Sequence, residues 1–217
     1  MTNLLNKFQL LLSDANQREV FIKSYQNLFL RVSGLLLSYL LVFVIIKLYG
    51  GESFGKWAMV TSLFLLSQMI LNLGIKSSIV SYYSSFKENK YNLWNLYKKS
   101  LIFLFTSSIL GVGVINLFIT KIAEAYNKVY IDDFLSIILI AVLPLNIIEL
   151  HAGIFKGLRQ VIKFSLLESV STPLFSLLFV LIFYSYNQDF DLVFIAYVIS
   201  IVIVSIISVI MLRQSFR

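Results

Sequence analysis

The sequence contains no cysteine, which excludes disulfides and thiolate metal sites and leaves the redox compartment unreadable. Histidine occurs once, at position 151, so no paired-histidine metal motif can be built. Charge is scarce: 13% of the 217 residues are Asp, Glu, Lys or Arg, where soluble domains carry about 25%. Also missing are a phosphate-binding glycine loop and a Ser or Cys nucleophile with a base nearby. The polar loops are too short to hold a catalytic domain, and an intramembrane enzyme would have to rest on Glu149 and Glu168 alone. The chain therefore reads as a non-enzyme that needs no cofactor.

What is present is apolar: 59% of the residues are hydrophobic. Bilayer is the simplest solvent for such a chain, because a helix of about 20 apolar residues spans it. The runs show no period-2 alternation of the kind used by outer-membrane barrels. The fold class expected is all-α, a polytopic membrane protein with six transmembrane helices in one bundle. The spans fall at about 27–48, 57–80, 99–120, 134–155, 164–185 and 192–212. Ahead of them, residues 1–26 read as a cytoplasmic amphipathic lead-in, with Ser13 or Asp14 as helix N-caps and Glu19 and Lys23 spaced for an i,i+4 pair. That segment lacks the basic start, compact apolar stretch and small-residue cleavage site of a secretory leader, so no cleavable signal peptide is expected. Residues 213–217 form a short tail. Tyr and Trp residues such as Tyr49, Trp57, Tyr83, Trp94, Tyr130 and Tyr186 flank the spans as interfacial anchors do.

The net charge of +7 is distributed unevenly, and in a membrane chain that points to cytoplasmic loops rather than to nucleic acid. Lys7, Arg18, Lys23, Arg31, Lys87, Lys90, Lys98, Lys99, Lys156, Arg159, Lys163, Arg213 and Arg217 fall on one side. The other side holds Lys47, Lys56, Lys121 and Lys128, diluted by Glu52, Glu124, Asp132 and Asp133. The positive-inside rule then places both termini in the cytoplasm.

Polar residues inside spans are costly, about 2.5–3.5 kcal/mol for a central charge on insertion scales. Residues three, four or seven apart share a helix face. In the second span Gln68, Asn72 and Lys76 make one stripe, and in the fourth Asn146, Glu149, Gly153 and Gly157 make another. Ser165, Glu168, Ser169, Thr172 and Ser176 line the fifth. The third offers Thr106, Gly113, Asn116 and Thr120, and the first Arg31, Gly34 and Ser38. One interpretation is a shared polar cavity; the plainer one is helix–helix packing through small residues. Arg31 and Lys76 also lie close enough to the cytoplasmic boundary to snorkel, and Glu149 and Glu168 are placed to pair with Lys76, Arg31 or Arg159. His151 points away from Glu149 on a helix, which suits packing. Pro144 and Pro173 are expected to kink their spans by freeing the carbonyls of Ile140 and Ser169.

The RVSG opening of the first span, the LYGGESFGKW turn, the NLGIKSSIVSYYS end of the second span and the IFKGLRQVIKFSLLESVSTPLFSLLFVL segment carry a family resemblance. Together they resemble the N-terminal half of the polysaccharide-export flippases, the Wzx-type O-antigen and capsule repeat-unit transporters of the MATE-like (MOP) superfamily. Members have about twice this length, with two six-helix bundles facing a central cavity. The resemblance therefore implies either a fragment, which is the reading favoured here, or a second copy supplying the missing C-terminal half. It also implies a multi-pass protein of the bacterial inner membrane. Its substrate would be an oligosaccharide on undecaprenyl pyrophosphate, moved from the cytoplasmic to the periplasmic leaflet for lipopolysaccharide or capsule synthesis. Partners would be that lipid-linked oligosaccharide and membrane lipid, with no nucleic acid. On this reading Arg31 and Lys76 bind the head group, because a pyrophosphate needs fixed positive charge. Gln68, Asn72, Asn116, Asn146, Glu149, Glu168 and Thr172 would line the cavity or balance charge, with Glu149 and Glu168 balancing the two cations or coupling to an ion gradient. A multidrug or cation exporter of the same superfamily, and a non-transporting membrane scaffold, are the alternatives; the two basic residues suit an anionic lipid better than a cationic drug.

Overall fold

With no water to bond to, backbone N–H and C=O groups in a bilayer must satisfy each other, and a helix does so within one segment. The computed structural model follows that constraint. It describes residues 15–72, 74–85, 90–128 and 130–216, and every regular element among them is helical. In chain order these are α1 (Ala15–Asn72), α2 (Ile75–Ser85), α3 (Lys90–Ala125), α4 (Tyr130–Leu139), α5 (Val142–Gly157), α6 (Val161–Ser165), a π-helical turn (Leu166–Val170), α7 (Ser171–Tyr186) and α8 (Asp191–Phe216). Residues 1–14, with the N-caps expected at Ser13 and Asp14, lie outside the described residues, as do 73, 86–89, 129 and 217.

Four helical stretches are long and apolar enough to cross a membrane, at Phe21–Asn72, Leu93–Ala125, Val161–Tyr186 and Asp191–Ser215. A fifth arises if α4 and α5, which meet at 46°, are one bent span. The first stretch is not one straight rod. Gly50 has φ 86° and ψ 166°, outside helical space and accessible to glycine because it has no Cβ. Arg31 and Lys76 both reach Glu168, although a straight helix would hold residues 45 positions apart at about 68 Å. The chain therefore doubles back between them, with Gly50 as the point where helical dihedrals fail.

The other interruptions also have local causes. Between α1 and α2, Gly74 takes φ 75°. Between α4 and α5 the break falls at 140–141, where Pro144 cannot supply the N–H that would bond the Ile140 carbonyl. α3 ends at Asn127 (φ 53°), where Asn127 N–H donates to Glu124 O at 2.9 Å and Lys128 N–H to Ala123 O at 3.0 Å. α5 ends the same way, with Arg159 at φ 58°, its N–H on Lys156 O at 3.1 Å and Gln160 N–H on Phe155 O at 2.8 Å. Both are left-handed terminations that satisfy carbonyls of the last turn.

The helices close around a core that includes Phe64, Ile79, Tyr83, Leu104, Ile138, Phe155, Phe194 and Val204. A smaller cluster of Leu41, Ile45, Val180, Val193 and Ala196 ties the first arm of α1 to α7 and α8. Small residues set the closest approaches. A Cβ on Gly157 would lie 2.7 Å from Tyr83 Cβ, and one on Gly34 would lie 2.3 Å from the Ser169 carbonyl oxygen. Leu28, Phe29, Leu36, Tyr39, Phe43, Met69 and Ile70 are exposed, an apolar surface that suits contact with lipid tails.

Candidate functional site

The π-helical turn positions the site. Pro173 lacks an N–H and crowds the carbonyl four residues before it, so the backbone ahead of it widens. Ser171 Oγ donates to Leu166 O at 2.8 Å across that widened turn. Glu168 sits in the middle of it. Gly34 brings α1 against the backbone of Ser169, and Arg31, one turn earlier on the same face, reaches Glu168. Its Nη2 is 3.5 Å from Glu168 Oε2, and its guanidinium lies 5.9 Å from the centre of the Phe164 ring. From the first turn of α2, Lys76 Nζ reaches the other carboxylate oxygen, Oε1, at 2.8 Å. Lys76 can sit there because α5 offers Gly153, where a Cβ would come within 3.2 Å of the Lys76 carbonyl oxygen.

Two cations thus share one carboxylate, leaving the group with a net charge of +1. The side chains of Arg31, Lys76 and Glu168 are 50%, 30% and 30% exposed. At such exposure the pairs contribute no more than about 1 kcal/mol each, so the cluster is better suited to exchanging partners than to holding the fold. Beside it runs an open groove of about 520 Å³, lined by Arg31, Gly34, Ser38, Glu168, Ser169 and Pro173 among others.

The remaining polar residues fall into different places. Gln68 Nε2 donates to Asn146 Oδ1 at 2.9 Å, and Asn146 Nδ2 donates to Ser108 Oγ at 3.0 Å. These side chains are buried between helices, so Gln68 and Asn146, expected to line a cavity, instead join α1, α3 and α5. The reason is satisfaction: a buried amide must find partners, and these find each other. Asn72 Nδ2 donates to Glu149 Oε2 at 2.5 Å, which places Glu149 on a neutral amide rather than on Lys76, Arg31 or Arg159. Thr172 is half-buried and is not among the groove-lining side chains. Asn116 is exposed on α3 and is not among the groove-lining side chains. Ser108, Ser38 and Ser169 matter more than their sequence signal suggested; spacing from Arg31 and Glu168 points to the last two, and nothing local points to Ser108. His151 is buried, with Nε2 at 3.1 Å from the Tyr97 hydroxyl and Nδ1 at 2.7 Å from Ser208 Oγ, linking α5 to α3 and α8.

The charged group, the groove and the helix breaks all lie within one matched region. The profile of the family described as Polysaccharide biosynthesis protein matches residues 24–217. The chain belongs to that family. It is the family of the Wzx-type O-antigen flippases of the MOP superfamily, whose members are transporters and not enzymes. No curated protein and no solved structure matches the chain. The polysaccharide biosynthesis match includes Arg31, Lys76 and Glu168, so the clustered charges belong to the family-like part of the chain.

Proposed function

We propose that this chain takes part in translocating an oligosaccharide linked to undecaprenyl pyrophosphate across the bacterial inner membrane, as a step in surface polysaccharide synthesis. The observation that carries this reading is the convergence of Arg31 and Lys76 on Glu168 beside an open groove. A pyrophosphate is a dense anion, and two cations already gathered by one carboxylate form a preorganised receptor for it. Glu168 holds them in place while the site is empty and gives way when a more highly charged anion arrives. Exposed apolar residues beside the groove, such as Leu35, suit the polyprenyl chain.

In this reading α1 supplies two spans that turn at Gly50, the second continuing through α2. The α4–α5 pair supplies one bent span, and α3, α6–α7 and α8 supply the rest. Six spans result, with both termini cytoplasmic and the Arg31–Lys76–Glu168 cluster in the cytoplasmic half, where the lipid-linked substrate is made. A second six-helix bundle, from the same chain or another copy, would close the groove into a cavity.

The test is binding of undecaprenyl pyrophosphate to the purified chain in nanodiscs. Hydrogen bonds to charged groups contribute about 1.5–3 kcal/mol, so Arg31→Ala and Lys76→Ala should each weaken binding at least tenfold. Wild-type affinity in both variants would remove the head-group role.

A further inference from the structure

A second groove lies on the bundle surface, between α3 and α5. It encloses about 300 Å³ and is lined by Leu101, Ile102, Phe105, Thr106, Leu143 and Ile147. None of these residues borders the groove beside Arg31. Thr106 turns its hydroxyl to its own helix, with Oγ1 at 3.0 Å from Ile102 O and 2.9 Å from Phe103 O. What the groove offers is therefore hydrocarbon.

Contacts at either end fix its level in the bundle. Tyr97 of α3 meets His151 of α5 at 3.1 Å, and Ser108 meets Asn146 at 3.0 Å. The two helices thus run antiparallel, and the groove lies between those contacts. Positions 98 and 106 are about 12 Å apart along a helix, close to the ~15 Å of hydrocarbon in one leaflet.

The mouth carries positive charge. Lys98 is one turn from Leu101 and Ile102 and two from Phe105, so it shares their face. Lys98 and its neighbour Lys99 are both exposed. Lys98 Nζ stands 5.5 Å from the centre of the Trp94 ring, which is itself exposed. Among the described residues neither lysine has a carboxylate partner. Trp94, Lys98, Ile102 and Phe105 therefore make one outward stripe: an interfacial ring, a cation able to snorkel, then an apolar channel.

We propose that this stripe and its groove bind an anionic phospholipid of the cytoplasmic leaflet. One acyl chain packs against Ile102, Phe105 and Leu143, and the headgroup phosphate accepts a charge-assisted hydrogen bond from Lys98. The groove's length suits a chain confined to one leaflet, whereas a partner helix would need the full ~30 Å. A two-fold contact between copies would also set Lys98 and Lys99 against their own counterparts. The proposal stands whether or not the Arg31–Lys76–Glu168 cluster binds a pyrophosphate.

The experiment is quenching of Trp94 fluorescence in phosphatidylcholine nanodiscs doped with acyl-brominated phosphatidylglycerol or acyl-brominated phosphatidylcholine. A Trp57→Phe background leaves Trp94 as the sole tryptophan, and circular dichroism with size exclusion verifies folding. One lysine near an anionic surface contributes about 1 kcal/mol, or about fivefold at about 1.4 kcal/mol per tenfold. Half-quenching is therefore expected at about one-fifth the mole fraction for brominated phosphatidylglycerol. Lys98→Gln should remove that preference. Lys121→Gln should keep it, although Lys121 also lies over a ring, 5.6 Å from Phe118 at the far end of α3. Leu143→Phe fills the groove without touching the charge and should weaken quenching by phosphatidylglycerol. Equal quenching by the two lipids overturns the proposal. So does a preference that survives Lys98→Gln or is lost in Lys121→Gln, and so does unchanged quenching in a folded Leu143→Phe. Absence of quenching by either lipid would mean that protein covers this face, which also overturns it. Relief of quenching by an equal mole fraction of undecaprenyl phosphate would assign the groove to a polyprenyl chain instead.

Discussion

Gly34→Ala is the sharpest test of how the charged cluster is assembled. The added Cβ would stand 2.3 Å from the Ser169 carbonyl oxygen, and Cβ atoms are essentially never found within 3.0 Å of a heavy atom outside their own stretch of chain. The first arm of α1 and the π-helical turn must therefore separate by at least 0.7 Å. Neither side can yield cheaply, because the obstacle is backbone. Overpacking of this kind costs about 1–3 kcal/mol. The same separation stretches the Arg31–Glu168 pair, already at 3.5 Å, beyond ion-pair range. Gly113→Ala is the internal control, since nothing lies within 4 Å of its Cβ position, and a helix-interior Gly→Ala change there is neutral or slightly stabilising. Unfolding in mixed micelles with increasing SDS should show Gly34→Ala less stable than Gly113→Ala by at least about 1 kcal/mol. Equal stabilities of the two variants would refute the close approach and, with it, the argument for how Arg31 reaches Glu168.

Three further outcomes follow from the packing. Asn146→Ala leaves the Gln68 amide and the Ser108 hydroxyl without their partner and should cost about 1–3 kcal/mol in the same unfolding assay; a change under 0.5 kcal/mol would show that the network contributes nothing net. Tyr83→Phe removes the hydroxyl that donates to Leu93 O at 2.9 Å and should destabilise by about 1 kcal/mol, measured against Tyr186→Phe, whose side chain is exposed. Because the chain has no cysteine, single cysteines at Gln160 and Gln188 can report topology: a membrane-impermeant maleimide added to intact spheroplasts should label Gln188→Cys and spare Gln160→Cys, and the reverse pattern would invert the orientation proposed from the basic residues.

Much of this arrangement was legible before any coordinates, and the reason is that a bilayer leaves so few options. Long apolar runs with little charge read as helices because only helices and closed barrels satisfy the backbone in a bilayer, and the runs lack the alternation of a barrel. Arg31, Lys76 and Glu168 drew notice because charge within a span needs a partner, and the structure brings these three together. Pro144 and Pro173 pointed to irregular backbone, and a break lies just ahead of one and a π-helical turn just ahead of the other. Less was legible where partners are distant in sequence. Stripes such as Gln68 with Asn72, or Asn146 with Glu149, look the same whether they face a cavity or a neighbouring helix. Only the position of Ser108, 38 residues from Asn146, decides for packing. His151 likewise gave no hint of Tyr97 and Ser208, which lie 54 and 57 residues away. The interruption at Gly74 was invisible for another reason: one glycine in an apolar run does not announce whether its φ will be positive.

The central claim is that the Arg31–Lys76–Glu168 cluster receives a lipid-linked pyrophosphate on its way across the membrane. Its most direct test is translocation of a fluorescent short-chain oligosaccharide-pyrophosphate-polyprenol in proteoliposomes containing this chain, read by quenching from outside. The account predicts translocation by the native chain and at least a tenfold loss in the Arg31→Ala, Lys76→Ala double variant. Native rates in the folded double variant would contradict it.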